Sequence, residues 1–258
     1  MRMAREKLGA FDVRIWSAGS GAPLLYLHGF EHHPGAASFL DRLSRSHEVR
    51  APEHPGFGDS TGFEELHDVI DVALYYRRLI ESWKGGGAVD VVGHCLGGMF
   101  AAEVAALSPH LVRRLVLVDA YGLWLDDHPL PDPFALAPKD LESAKWYDPS
   151  KAPMPELSAF DGGSDADALA IFRAQNLGTA TKFMWPIPDH GLSRRLPYVQ
   201  SPTLIVHGEA DGLVPIAYAE AFARLIPKAT IATIRRAGHL PMIEAEEEFV
   251  SAVNDFLS

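Results

Sequence analysis

The sequence predicts an α/β fold, a mostly parallel central sheet flanked by helices, and three observations predict it. Short apolar bursts such as Pro23–His28 and Pro202–His207 run almost without polar interruption, the pattern of strands covered on both faces. Longer segments between them carry apolar residues at helical spacing. The two kinds alternate, and strand–helix–strand alternation implies parallel strands joined by crossover helices.

Taken in order, Phe11–Trp16 alternates as a half-buried strand does. Pro23–His28 is a strand that stops at Gly29. Leu66–Trp83 reads as a helix, with Leu66, Val69, Ile70, Ala73, Leu74, Arg77 and Ile80 at helical spacing. Ala88–Gly93 is a strand, Leu96–Leu107 a helix and Arg114–Asp119 a strand. Beyond a long break come the strand Pro202–His207, the helix Ile216–Ile226, the weaker strand Thr230–Arg235 and the helix Glu244–Leu257.

The break spans 121–199. It holds just over half of the 19 prolines and three of the five tryptophans, Trp124, Trp146 and Trp185. No convincing strand occurs there, Ser158–Asp167 is small and acidic, and a helical piece lies near Ala166–Asn176. Long insertions between regular elements are lids or disordered loops. The aromatic and Met content, with Phe134, Phe160, Phe172, Phe183 and Met184, favours a packed lid. The expected division is therefore a core of 1–120 and 200–258 with a lid over 121–199, and no second independent domain.

Composition narrows the function classes. The chain has 258 residues, 47% of them apolar and 22% charged, with a formal net charge of −11. That apolar content is ample for a core and excludes extensive disorder. The acidity argues against phosphate backbones, hence against nucleic acid as a partner. A single cysteine excludes an internal disulfide. No apolar run approaches the ~18–20 residues of a membrane span. The charged N-terminus lacks the apolar stretch of about 7–15 residues of a secretory leader, so a cytoplasmic location is expected. Self-association stays open.

The densest chemical signal is Val91-Val92-Gly93-His94-Cys95-Leu96-Gly97-Gly98-Met99. A β run ends, glycines stand two before and two after one nucleophile, and a helix begins at once. Such a corner holds the central side chain on a strained turn, pointing away from the sheet. The helix N-terminus adds free N–H groups and a positive dipole end, which for cysteine favours thiolate.

This pattern resembles the nucleophile elbow of the α/β-hydrolase family, with G-x-C-x-G where most members have G-x-S-x-G. The resemblance covers nearly the whole chain. Leu27-His28-Gly29-Phe30 resembles the oxyanion loop after the third strand, and Ala51–Ser60 the loop after the fourth. Val206–Asp211 resembles the acid turn and Ala237-Gly238-His239-Leu240-Pro241 the histidine turn. The resemblance implies an α/β-hydrolase fold with a helical lid inserted after the sixth strand. It also implies Cys95 as nucleophile, His239 as base, Asp211 as its acid (Asp119 the runner-up), and the backbone N–H groups of Phe30 and Leu96 as oxyanion donors. His28 reads as packing for its loop. A substrate pocket is expected from His28, His94, Trp124, Trp146, Phe183 and Trp185. The adjacent His32 and His33 lack metal-ligand spacing and no phosphate loop occurs, so neither metal nor cofactor is expected.

The expected chemistry is hydrolysis of a carboxylic ester, lactone or thioester through a Cys-His-Asp triad and a covalent acyl-enzyme, on a small molecule with an apolar or aromatic portion. Dienelactone hydrolases and some acyltransferases of this fold carry cysteine at the elbow. Three alternatives stand beside it: an acyltransferase using the same intermediate, a carbon–carbon bond hydrolase of ring-fission products, and an inactive binder of a small ligand. Haloalkane dehalogenases and epoxide hydrolases place aspartate in the elbow, and Cys95 argues against both.

Overall fold

Eight strands form one sheet. In chain order they are β1 (Arg2–Leu8), β2 (Phe11–Ala18), β3 (Ala22–Leu27), β4 (His47–Pro52), β5 (Val89–His94), β6 (Val112–Val118), β7 (Thr203–Gly208) and β8 (Ala229–Ile234). In space they run 1-2-4-3-5-6-7-8. All pairs from β4 to β8 are parallel, and β2 is antiparallel to both β1 and β4. The structure is a computed structural model and describes residues 1–85, 87–151, 160 and 165–258. The strand order and the parallel pairing agree with the fold that the motifs imply.

Two strands escape the apolar pattern. β1 reads Arg-Met-Ala-Arg-Glu-Lys-Leu, is largely exposed and pairs with β2 alone. An edge strand with charge on both faces shows no alternation to find. β4 interleaves His47, Glu48 and Arg50 with buried Val49 and Ala51, too few apolar residues for a burst.

The helices cover both faces. On one side lie α2 (Val69–Lys84), α3 (Leu96–Leu107) and α7 (Ile216–Leu225), and on the other α1 (Ser38–Leu43) and α8 (Glu246–Leu257), each side closing its own apolar core. Asp68 caps α2, its side chain accepting from the N–H groups of Ile70 and Asp71, which satisfies two otherwise orphan donors. The buried stripe of α2 is Val69, Val72, Ala73, Tyr75, Tyr76, Leu79 and Ile80. Leu74 and Arg77 fall outside it: Leu74 is exposed, and Arg77 pairs with Glu81 on the solvent side. The two tyrosines occupy the face that those residues were expected to share.

Between β6 and β7 the described residues hold α4 (Pro138–Lys145), α5 (Ala166–Met184) and α6 (Leu192–Arg195), and no strand. α5 starts at Ala166 as expected but runs two turns further, packing Ala180, Phe183 and Met184 inward. Most of the acidic stretch 158–167 lies outside the described residues. No helix of the described residues is long and apolar enough to cross a membrane.

Candidate functional site

The candidate nucleophile, base, acids and oxyanion loop each follow the C-terminal end of a parallel strand. β3 leads into His28–Phe30, β5 into Cys95, β6 into Asp119, β7 into Asp211 and β8 into His239. The chain leaves β3 toward β4 on one side and returns to β5 on the other, so the sheet's direction of winding reverses between β3 and β5. Ligand crevices in such sheets open at that reversal, here between the Phe30 loop and Cys95.

Cys95 is buried and has φ 55 and ψ −116, a conformation L-residues avoid. The surroundings enforce it. Its N–H donates to Val118 O (2.9 Å), and its carbonyl accepts from Gly98, Met99 and Tyr121 (3.0, 3.2 and 3.2 Å). A Cβ on Gly93 would collide with the Gly97 carbonyl, and one on Gly97 with the Leu27 and His28 carbonyls. Those are backbone atoms that cannot rotate away. Gly97→Ala is therefore expected to cost about 3 kcal/mol, the upper end for overpacking, read as a lower urea midpoint with unchanged slope. An unchanged midpoint would contradict this account of the corner.

Two backbone N–H groups, those of Phe30 and Leu96, border that crevice. His28 uses Nδ1 to hold the Gly29 carbonyl (2.7 Å) and Nε2 to accept from His54 N (3.0 Å). In a trans peptide the carbonyl and the next N–H point in opposite directions, so fixing Gly29 O turns Phe30 N–H the other way. The Cys95 carbonyl is likewise drawn into α3, turning Leu96 N–H outward. Among the described residues, neither N–H donates to a protein acceptor.

His239 is buried, and its Nδ1 donates to Asp211 Oδ2 at 2.7 Å. Asp211 Oδ1 accepts from the N–H groups of Leu213 (2.8 Å) and Val214 (3.0 Å). Burial alone would discharge both groups. Against it, the Asp211 carboxylate and the Cys95 sulfur beside the ring hold the His239 pKa well above the ordinary imidazole value. Burial likewise works to raise Asp211, but the His239 ring and the two N–H groups outweigh it and hold the carboxyl below its usual value. His239 Nε2 faces Cys95 and has no hydrogen bond of good geometry to any described protein group.

Further residues tie these loops together; of these the sequence marked only His94, as a pocket residue, and it lines a cavity beside His239. His94 donates from Nε2 to the His239 carbonyl (2.8 Å), and burial and His239 push its pKa down to about 3, so it stays neutral. The C-terminal end of α4 grips three loops at once. Ala144 O accepts from Gly212 (3.0 Å), Lys145 O accepts from His239 N (2.7 Å), and the buried Lys145 ammonium binds Glu31 and Glu142. Asn176 on α5 bridges Glu31 O and Gly58 N. A sequence window carries no signal for such carbonyl contacts.

Two small cavities lie near the site, one of them lined by His239 itself. One of about 50 Å³ is lined by His28, Phe30, His32, His94, His239 and Leu240. The other, about 110 Å³, is lined by Tyr121, Trp124, Phe134, Met184 and Trp185. Tyr121, in the lining of the second, meets the His239 ring edge-on, with ring centroids 6.2 Å apart. Trp146 and Phe183, expected in the pocket, line neither. Trp146 is buried with its N–H on Glu142 (3.0 Å), and Phe183 packs against Phe100 and Phe63. The face of α5 that carries Phe183 turns to the core, so this ring supports the insertion from below.

Comparison with known proteins agrees with the fold. The model of the alpha/beta hydrolase family matches residues 24–252. A 2-hydroxymuconate semialdehyde hydrolase of Pseudomonas sp. strain CF600 is 30% identical over 99% of this chain and 94% of its own length. A pimeloyl-[acyl-carrier protein] methyl ester esterase of Xanthomonas oryzae pv. oryzae is 28% identical, covering 93% of this chain and 96% of the relative. Among solved structures, a meta-cleavage product hydrolase of Pseudomonas fluorescens IP01 superposes with a TM-score of 0.76 at 22% identity, over 96% of this chain and 94% of that one.

Proposed function

We propose that this chain, which belongs to the alpha/beta hydrolase family, hydrolyses esters, lactones or thioesters through Cys95, His239 and Asp211. The observation that carries the reading is His239 itself: a buried imidazole with Nδ1 fixed on Asp211 and Nε2 left for the Cys95 sulfur. That is the arrangement of nucleophile, base and orienting acid.

Cys95 gives its thiol proton to His239 Nε2, and Sγ attacks the carbonyl carbon, forming a C–S bond while the carbonyl electron pair moves to oxygen. The N–H groups of Phe30 and Leu96 donate to that oxyanion. As the intermediate collapses, the leaving alkoxide or thiolate takes the proton from His239 Nε2, and the raised pKa of the ring keeps that proton in place until then. Water then attacks the acyl-thioester, His239 accepts its proton, and the Cys95 sulfur departs. The two cavities are far below the 300–1,000 Å³ of ordinary ligand sites, so the insertion acts as a lid that shifts to admit substrate. The proline- and tryptophan-lined cavity suits an apolar or aromatic portion. Rapid quench with a nitrophenyl ester should leave one acyl mass on the peptide containing Cys95. Turnover without such an adduct would overturn the reading.

Carbon–carbon bond hydrolysis of a ring-fission acid is the second reading, supported by the muconate semialdehyde hydrolase likeness. An anionic substrate of that kind needs a cation at the site. His32 and His94 are held neutral by burial, with pKa values near about 4 and about 3. Lys145 is committed to Glu31 and Glu142. Arg173, exposed on α5, is the remaining cation whose charge reaches His32 among the described residues. Arg173→Ala should leave kcat/KM on a neutral ester within about twofold, since rim charges contribute little to an uncharged ligand. A ring-fission acid turned over better than any ester, and losing tenfold or more in that variant, would establish the second reading instead.

A further inference from the structure

Behind Asp211 stands a second buried carboxyl that the reaction as written does not use. Asp119 follows β6 and is buried, with a left-handed backbone at φ 44. Among the described residues only Cys95, Asp119 and Arg236 are non-glycine residues with positive φ, and the first two end neighbouring strands. The Asp119 N–H donates to Val206 O (3.0 Å), which locks that turn. Its Oδ1 accepts from Gly208 N (3.0 Å) and lies 3.1 Å from His207 Nδ1. Its Oδ2 is buried and has no N–H or O–H donor among the described residues. Carboxylate oxygens of Asp119 and Asp211 and a ring nitrogen of His207 all lie within 4.8 Å of one another.

We infer that Asp119 is a neutral carboxylic acid whose Oδ2–H donates to Asp211, making it a positioning residue that keeps the Asp211 carboxylate turned toward His239. The inference rests on the reading that Asp211 orients His239. Two bare carboxylates this close, out of water, cannot both ionise. One proton between them removes the repulsion and fills the orphan Oδ2. The groups facing Asp119 decide which carboxyl keeps it. Asp211 has the His239 ring and two backbone N–H groups to stabilise its charge. Asp119 has one backbone N–H and His207, whose own pKa burial lowers, so that a neutral ring donates from Nδ1. Burial first, and the Asp211 charge second, push the Asp119 carboxyl well above its usual range.

The test compares the wild type with Asp119→Asn and Asp119→Ala. An infrared difference spectrum, wild type minus Asp119→Asn at neutral pH, should show the C=O stretch of a protonated carboxyl. Asn keeps an acceptor for Gly208 and an N–H donor for Asp211, so kcat/KM should stay within about threefold and the pH midpoint of Cys95 alkylation by iodoacetamide should hold. Ala removes both contacts, and kcat should fall tenfold or more with KM little changed. The absence of the band would overturn the inference. So would a shift of the alkylation midpoint by a unit or more in Asp119→Asn, the mark of a lost negative charge. Stoichiometric divalent metal in the wild type, absent from Asp119→Asn, would also overturn it by making the pair a cation site. The infrared band and the alkylation profile need no turnover, so they separate failure of this inference from failure of the triad reading.

Discussion

Replacing Cys95 with alanine is expected to lower kcat on an activated ester by about 10⁵–10⁶-fold, the scale seen when a covalent nucleophile is removed from a triad. Cys95 is the only thiol in the chain, and among the described residues it is the side chain that His239 Nε2 faces. Residual catalysis should come from the Phe30 and Leu96 N–H groups and binding alone. The fold should survive. Alanine fits the same corner, removes one buried sulfur, and costs about 1 kcal/mol, the low end of large-to-small core changes. A melting temperature lower by a few degrees with intact secondary structure would separate lost chemistry from lost structure. Iodoacetamide should add one carboxamidomethyl group and abolish activity in step. The reaction should be slow, because Cys95 is fully buried and must wait for the insertion to open. Alanine protein retaining a tenth of the wild-type rate would remove Cys95 from the mechanism.

The site was legible wherever chemistry compels a local pattern. The corner at Cys95 needs small residues two before and two after it, and Gly93 and Gly97 announce it because any Cβ there meets backbone. The central strands were legible for a similar reason: buried on both faces over most of their length, each keeps a run of three or four residues dominated by Val, Leu and Ile, with polar residues mostly toward its ends. What stayed hidden depends on contacts between distant carbonyls and amides. The grip of α4 on Gly212 and His239 uses the main chain of Ala144 and Lys145, and any residue could supply those oxygens. Phe183 was misplaced because an aromatic on an insertion helix packs equally well toward a pocket or toward the core, and only the register of α5 chooses. Asp119 was visible as a strand-end acid, but its partnership with Asp211 needs two strands side by side. Sequence distance conceals that pairing.

Asp211→Asn is expected to lower kcat by about 10³–10⁴-fold, comparable to the loss when the orienting acid of a triad becomes its amide and the histidine takes the wrong tautomer. In the wild type His239 Nδ1–H donates to Asp211 Oδ2, with nitrogen and oxygen 2.7 Å apart, leaving Nε2 to serve Cys95. An asparagine can present its N–H₂ instead, reversing that tautomer and placing the ring proton on Nε2. The substitution also removes the largest influence that raises the His239 pKa, leaving burial to push it down. Histidine-selective NMR should therefore show the His239 ring titrating at markedly lower pH in the variant. Stability should follow the same sign. The ring, raised in the fold, contributes fully below its unfolded pKa near 6.5, and that contribution is lost as pH rises through the folded value. The carboxyl, lowered in the fold, contributes above its unfolded value near 3.9, and that contribution is lost as pH falls through the folded value. The stability gap between wild type and Asp211→Asn should then be widest from about pH 4 to about 6.5 and narrow on both sides. A variant within tenfold of wild type, with the His239 titration unmoved, would transfer the orienting role to another acid, and Asp119 is the one in reach.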